Sequence, residues 1–170
     1  MNKRWLLPVC AALTICLVVF RQKPLQKQIS EEIGVDATHA EILSEMDTHG
    51  GFQGDGASCV VLQLDEPARD AIKAQGWKSM PMDQTTAILL YGVTQETPDG
   101  AYTYGPYLSG EDNQPLAPRI QDGYYLLLDR HSAAKPDQDP AEILQRWSQN
   151  LTVALYDDET GILYVCKLDT

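Results

Sequence analysis

The chain has 170 residues and a formal net charge of −11, and its charges are unevenly distributed along the sequence. Residues 28–170 contain eight Lys and Arg against twenty-four Asp and Glu, which gives this part a net charge of −16. Such an acidic surface repels nucleic acid, whose binding needs a basic patch, so no nucleic-acid partner is expected. A segment of this length can bury one good hydrophobic core, so one domain is expected.

Residues 5–20 carry no charge, and basic residues flank this run on both sides. A basic N-terminal segment followed by a hydrophobic run directs a chain to the membrane. The run is short, since a spanning helix usually takes about 20 apolar residues. No small residues follow it in the pattern of a cleavage site. We therefore predict that residues 1–23 are an uncleaved signal-anchor, which crosses the cell membrane once and leaves the C-terminal domain outside the cytoplasm.

Residues 24–34 are predicted to form a short helical stalk. Leu25, Ile29 and Ile33 are four residues apart, which places them on one face of a helix. Gly34 follows as a natural C-cap. The folded domain is expected to occupy residues 35–170.

The first half of this domain shows two strands and then two helices. Strands are predicted at residues 40–47 and 59–64, joined as a hairpin by a glycine-rich turn. Helices are predicted at residues 66–75 and 84–91, because Asp65 and Asp83 precede them as N-caps and glycines follow them.

Residues 93–119 contain many glycine and proline breaks and three tyrosines, Tyr102, Tyr104 and Tyr107. An irregular segment of this length is usually functional, or else it contains a small hairpin. Exposed tyrosines offer a rigid apolar face and a hydroxyl group, which suit the binding of sugars or peptides. These three tyrosines are the first candidate binding residues. The alternative is that they pack onto the helices as a lid.

The C-terminal half adds three strands, at residues 124–129, 151–156 and 162–168, of which the last two form a hairpin. Residues 139–147 fit a short helix or an extended stretch. Together the elements predict an α+β domain with a mainly antiparallel sheet of about five strands and two or three short helices on one face.

The glycine-rich loop at residues 47–56 is the second candidate site. Asp47, His49 and Asp55 offer oxygen and imidazole ligands, and His131 at the end of a later strand is a fourth candidate. If these groups converge, they favour a metal-dependent or hydrolytic enzyme. The alternative is a hairpin tip in which the carboxylates bond the local backbone. The loop matches neither a nucleotide-binding nor a calcium-binding motif, so no cofactor is expected.

Cys59 and Cys166 fall in two predicted strands. Outside the cytoplasm such a pair can be oxidised to a disulfide. The alternative is two buried thiols, since sequence alone does not show whether two Cα atoms come within bonding range.

The chain resembles a group of small, singly anchored extracytoplasmic proteins of Gram-positive gut bacteria. The resemblance implies a location at the bacterial surface and implies no catalytic residue. It covers most of residues 36–170 and rests on three segments: Asp47-x-His49-Gly50-Gly51-Phe52-x-Gly54-Asp55-Gly56, Gly123-Tyr124-Tyr125 with Asp129-Arg130-His131, and Tyr156-Asp157 with Leu163-Tyr164-x-Cys166-x-Leu168-Asp169-Thr170.

The motifs together favour a non-catalytic binding or accessory module, with a protein or the cell wall as its partner. The enzyme described above and an immunity-type or structural partner protein remain the alternatives.

Overall fold

The computed structural model describes residues 24–50, 54–134 and 140–170. The predicted anchor, residues 1–23, lies outside the described residues. Among the residues that are described, no helix is long and apolar enough to cross a membrane.

The described part of the chain contains eight strands. They are β1 (Glu41–Asp47), β2 (Gly56–Gln63), β3 (Lys78–Ser79), β4 (Val93–Thr97), β5 (Gly100–Tyr104), β6 (Gly123–Asp129), β7 (Asn150–Asp157) and β8 (Ile162–Asp169). Six of them form one antiparallel sheet in the order β1-β2-β8-β7-β6-β3, and β4 and β5 form a separate hairpin. The prediction that the main strands share one antiparallel sheet is confirmed.

The helices are α1 (Leu25–Ile33), α2 (Glu66–Ala74), α3 (Gln84–Tyr91), α4 (Arg130–Ala134) and a 3₁₀ helix at Pro140–Gln145. The starts of α2 and α3 are set by their N-caps. The Asp65 carboxylate accepts the Ala68 N–H at 3.0 Å, and the Asp83 carboxylate accepts the Thr86 N–H at 2.8 Å. These two helices agree with the prediction, whereas β3 and α4 were not predicted.

The helices cover both faces of the sheet, which corrects the expectation that they lie on one face. On one face α1 and α2 enclose a core that includes Ala154 and Tyr156 of β7. On the other face α3 and the 3₁₀ helix enclose a second core that includes Leu151 and Val153 of the same strand. Since β7 is buried at every position from 151 to 156, it needs cover on both sides.

Helix α1 is part of the folded domain and does not stand apart from it as a stalk. Ile29 and Ile33 are 0% and 3% exposed and pack in the first core. Gly34 caps the helix in the left-handed conformation with φ 74°, as predicted. The apolar stripe that suggested a stalk is therefore a core-facing stripe, and the folded domain includes α1.

Candidate functional site: a neutral cleft beside the β4–β5 hairpin

A cleft of about 470 Å³ lies between α3, the 3₁₀ helix and the β4–β5 hairpin. The described residues that line it are all uncharged, although the whole chain has a net charge of −11. They are Gln84, Ile88, Val93, Thr94, Gln95, Tyr104, Tyr107, Leu144 and Gln145. The cleft thus combines apolar walls with amide and phenol groups.

One face of the hairpin continues the wall of the cleft outward. Val93 is directly opposite Tyr104, and Gln95 is directly opposite Tyr102. Opposite residues of an antiparallel pair share a face. Tyr102 therefore lies on the same face as Val93, Gln95 and Tyr104, which line the cleft. Val93, Tyr102 and Tyr104 are 39%, 51% and 51% exposed, and they are three of the six large exposed hydrophobic residues in the described part of the chain. Apolar exposure is therefore concentrated on this face.

The hairpin is fixed to α3 at its base by two glycines. A Cβ atom on Gly92 would lie 2.8 Å from backbone atoms of Gly105 and Pro106, and a Cβ on Gly105 would lie 2.6 Å from the carbonyl oxygen of Ile88. Only glycines permit such a close approach of the two backbones. The N–H groups of Tyr107 and Leu108 then both donate to the Leu89 carbonyl at 2.9 Å.

The glutamine side chains around the cleft have unused hydrogen-bonding groups. Gln84, Gln95 and Gln145 make no side-chain hydrogen bond to any residue that the structure describes. Each amide offers both donors and an acceptor. The Thr94 hydroxyl, in contrast, already pairs with the Thr103 hydroxyl at 3.0 Å. The cleft can therefore hydrogen-bond a neutral ligand through three side-chain amides.

The structure brings the three predicted tyrosines to this one region. Tyr104 and Tyr107 line the cleft, and Tyr102 lies on the same face of the hairpin as Tyr104. Tyr107 also packs against the second core, as the lid interpretation required, while Tyr102 and Tyr104 are half exposed.

His49 and Asp55 lie elsewhere, beside the end of β1. The His49 Nδ1 atom is 2.5 Å from a carboxylate oxygen of Asp47, and its Nε2 atom is 3.3 Å from one of Asp169. The backbone N–H and the ring of His49 both bond the Asp47 carboxyl and lower its pKa. Asp55 is exposed, and its carbonyl accepts the Gly50 N–H at 3.4 Å. Both nitrogens of the His49 ring thus face carboxylates.

His131 lies at the same end of the sheet as His49 but is far from it across the strands. It follows β6, and β2, β8 and β7 stand between β6 and β1. At about 4.8 Å per strand, β1 and β6 are about 19 Å apart. Among the described residues, no three His, Cys, Asp or Glu side chains are grouped so that they could hold a metal ion.

Arg130, the residue before His131, makes the connection that was considered for His131. Its guanidinium is 2.9 Å from Asp169, the same residue that contacts His49. It also lies 3.8 Å from Glu32 of α1, which in turn bonds Lys167 and Thr152. The result is a chain of alternating charges that ties α1 to the end of the sheet.

Cys59 and Cys166 are direct cross-strand neighbours on β2 and β8. Their sulfur atoms are 3.0 Å apart, and both residues are buried as free thiols. The hydrogen bond with Cys59, followed by burial, raises the pKa of the Cys166 thiol well above its usual value. The geometry fits the two-thiol alternative and also brings the sulfurs close enough to oxidise, so the disulfide remains a prediction.

The glutamines that line the cleft were also missed. They come from α3, β4 and the 3₁₀ helix, which are far apart in sequence, so no local pattern joins them. One local signal was present: Thr97-Pro98-Asp99-Gly100 is a turn sequence, and it connects β4 to β5.

Comparison of the chain with protein-family models, with curated proteins and with solved structures finds no match. The geometry and chemistry of the cleft therefore carry the functional conclusion.

Proposed function

We propose that the protein is a non-catalytic binding module displayed on the outer face of the cell membrane, and that the cleft beside the β4–β5 hairpin is its ligand site. The observation that carries this proposal is the neutral cleft itself, with Tyr104 and Tyr107 in its wall and the exposed face of the hairpin beside it. Rigid aromatic side chains with hydroxyl groups are typical of such binding surfaces.

The chemistry of the lining favours binding over catalysis. Among the residues whose side chains the structure describes, no Asp, Glu, His, Cys or Lys lines the cleft, so these residues supply neither a general base nor a strong nucleophile. The titratable groups near β1 are engaged with one another, as His49 is with Asp47 and Asp169. The two candidate sites of the sequence thus differ: the tyrosine region is open to a ligand, whereas the histidine bonds its neighbours.

The sequence supports the location. The uncharged run at residues 5–20 with its basic flanks is the membrane anchor in this proposal, and the resemblance to singly anchored bacterial surface proteins points the same way. The net charge of −16 over residues 28–170 keeps the domain away from anionic lipid headgroups, which leaves the cleft free for a partner in the surrounding space.

Photo-crosslinking in intact cells tests this proposal. A photoreactive phenylalanine analogue replaces Tyr104 in the full-length protein, expressed in a Gram-positive host. The matched control places the same analogue at Leu43, which is 46% exposed on the edge strand β1. We expect a crosslinked product of higher mass at position 104 and none at position 43. Crosslinking at position 43 alone, or at neither position, would contradict the proposal.

A further inference from the structure

We propose that the ligand of the cleft is a neutral oligosaccharide, which stacks on the tyrosines and is hydrogen-bonded by the three glutamine amides. This inference rests on the proposed function, because it names the ligand class of the same site.

Charge is the first argument. Only eight basic residues stand among the twenty-four acidic ones in residues 28–170, so the field around the domain disfavours an anionic ligand. A cationic ligand would be bound by carboxylates, yet none is found among the described residues that line the cleft. A ligand without charge is the class that fits both observations.

The mixture of groups in the cleft is the second argument. A sugar ring has apolar C–H faces and a rim of hydroxyl groups, each of which both donates and accepts hydrogen bonds. Tyr104 and Tyr107 offer flat apolar surfaces for the faces. The amides of Gln84, Gln95 and Gln145 match the rim, since each amide also both donates and accepts.

The shape of the site favours an oligosaccharide over a single sugar. The cleft of about 470 Å³ is within the range of small-ligand sites. Beyond it, Tyr102 continues the same face of the hairpin, two residues along β5 from Tyr104. A second or third sugar unit would therefore meet another exposed aromatic ring outside the cleft.

A peptide fits the arrangement less well. Extended peptides are usually bound by pairing with the edge of a strand, which supplies a regular row of backbone donors and acceptors. The residues that line this cleft come from α3, β4, the 3₁₀ helix and the chain after α3, and their amide side chains belong to three different elements. Their spacing does not follow that of a strand.

A glycan array tests the inference. The full-length protein in nanodiscs is applied to an array of neutral oligosaccharides, uronic-acid oligosaccharides and uncharged peptides. We expect binding to at least one neutral oligosaccharide, and little binding to the charged ones. In the variants Tyr104→Ala and Gln95→Ala, the affinity is expected to fall at least about tenfold, because each removes a direct contact. Leu43→Ala on β1 serves as the control and should bind as the wild type does.

The outcomes separate this inference from the proposed function. Preference for peptides, with loss of binding in Tyr104→Ala, would overturn the saccharide and leave the cleft as the binding site. Binding of a neutral saccharide that Tyr104→Ala and Gln95→Ala do not weaken would overturn the assignment to the cleft. Absence of binding to every neutral oligosaccharide at millimolar concentration would also overturn the inference. Circular dichroism of each variant verifies that it is folded.

Discussion

Asp83 combines three roles at the start of α3. Its carboxylate caps the helix through the Thr86 N–H and also accepts hydrogen bonds from Lys78 at 2.9 Å and Tyr125 at 3.1 Å. Burial acts to raise its pKa, but these hydrogen bonds outweigh burial and lower the pKa to about 2. Because Tyr125 belongs to β6, the carboxylate links the helix that forms one wall of the cleft to the main sheet.

We expect Asp83→Asn to reduce the free energy of unfolding at pH 7 by about 1 kcal/mol, since Asn keeps the cap but loses the charge, and the side chain is partly exposed. The folded-state pKa lies below the ordinary aspartate value of 3.8, so this stabilisation is present above about pH 4 and is lost as the pH falls toward about 2. Urea denaturation across this pH range measures it. Asp70→Asn, at an exposed position of α2, is the control. A difference between wild type and Asp83→Asn that stays constant down to pH 2 would contradict the account.

Asp129 and Arg146 form an ion pair that is almost fully buried, with side chains 12% and 8% exposed. Burial acts to raise the pKa of Asp129, but hydrogen bonds from Ser132 and Arg146 outweigh it and lower the pKa. The pair holds the chain that follows the 3₁₀ helix against the end of β6.

Removal of both partners of this pair should cost less than the two single removals added together. Arg146→Met leaves the Asp129 charge uncompensated, and we expect it to cost about 3–5 kcal/mol of unfolding free energy. The double variant Asp129→Asn/Arg146→Met should cost clearly less than the sum of the two single variants. Lys73→Met, which breaks the more exposed pair with Asp158, is the control and should have a much smaller effect. Additive costs in the double variant would show that the pair is not coupled.

At the scale of elements, the hairpin depends on Gly92. This residue has φ 67°, a backbone angle that residues other than glycine rarely adopt. The space where its Cβ atom would lie is occupied by the backbone of Gly105 and Pro106. A two-stranded hairpin is marginally stable alone, so its position relies on this contact.

Gly92→Ala is therefore expected to lower the free energy of unfolding by more than the cost of placing alanine at a positive φ. Gly76 is the control for a positive φ, because it has φ 74° and a Cβ added there would meet no atom within 4 Å; Gly92 combines its positive φ with ψ 176°, a conformation essentially restricted to glycine. Gly76→Ala should cost about 1 kcal/mol for the left-handed conformation. Gly92→Ala should cost at least twice as much and should also weaken ligand binding. Equal costs for the two variants in urea denaturation would contradict the close packing described here.

The role of α1 gives a second test at this scale. Ile29 is fully buried, so Ile29→Ala should lower the free energy of unfolding by about 2–5 kcal/mol through a cavity in the first core. Lys27, exposed on the same helix, provides the control, and Lys27→Ala should change stability by less than about 0.5 kcal/mol. If Ile29→Ala and Lys27→Ala changed the free energy of unfolding by similar amounts, α1 would not be packed in the core, and the interpretation of this segment as a stalk would be supported.

These elements show what the sequence could and could not predict. A helix cap is a local feature, because the capping residue directly precedes its helix. Asp65 and Asp83 therefore allowed the bounds of α2 and α3 to be predicted to within one residue. The residues against which an apolar stripe packs are distant in sequence. The stripe on α1 therefore predicted that a helix forms but not that the helix packs in the core. The nearly continuous apolar residues of β7 are typical of a strand that is buried on both faces, but the prediction of helices on one face did not use this signal. The cleft combines residues 84–107 with residues 144–145, and no pattern within either segment indicates the other.

At the scale of the whole molecule, α1 packs in the folded domain, so only a short segment of chain separates the domain from the proposed anchor. In the proposed topology the uncharged run of the anchor ends at residue 20, and α1 starts at Leu25. The five residue steps between them span at most about 18 Å. The start of α1 is thus expected to lie within that distance of the membrane.

The cleft beside the β4–β5 hairpin is the proposed ligand site of the protein. Hydrogen–deuterium exchange of the full-length protein in nanodiscs, with and without isolated Gram-positive cell walls, is a sharp test of this proposal. Because the hairpin strands are exposed and only paired with each other, their amides should exchange quickly in the free protein. The claim predicts that the cell walls slow exchange in Val93–Thr97, Gly100–Tyr104 and Pro140–Gln145. Slower exchange confined to Glu41–Asp47 and the loop after it, or no change at all, would contradict it.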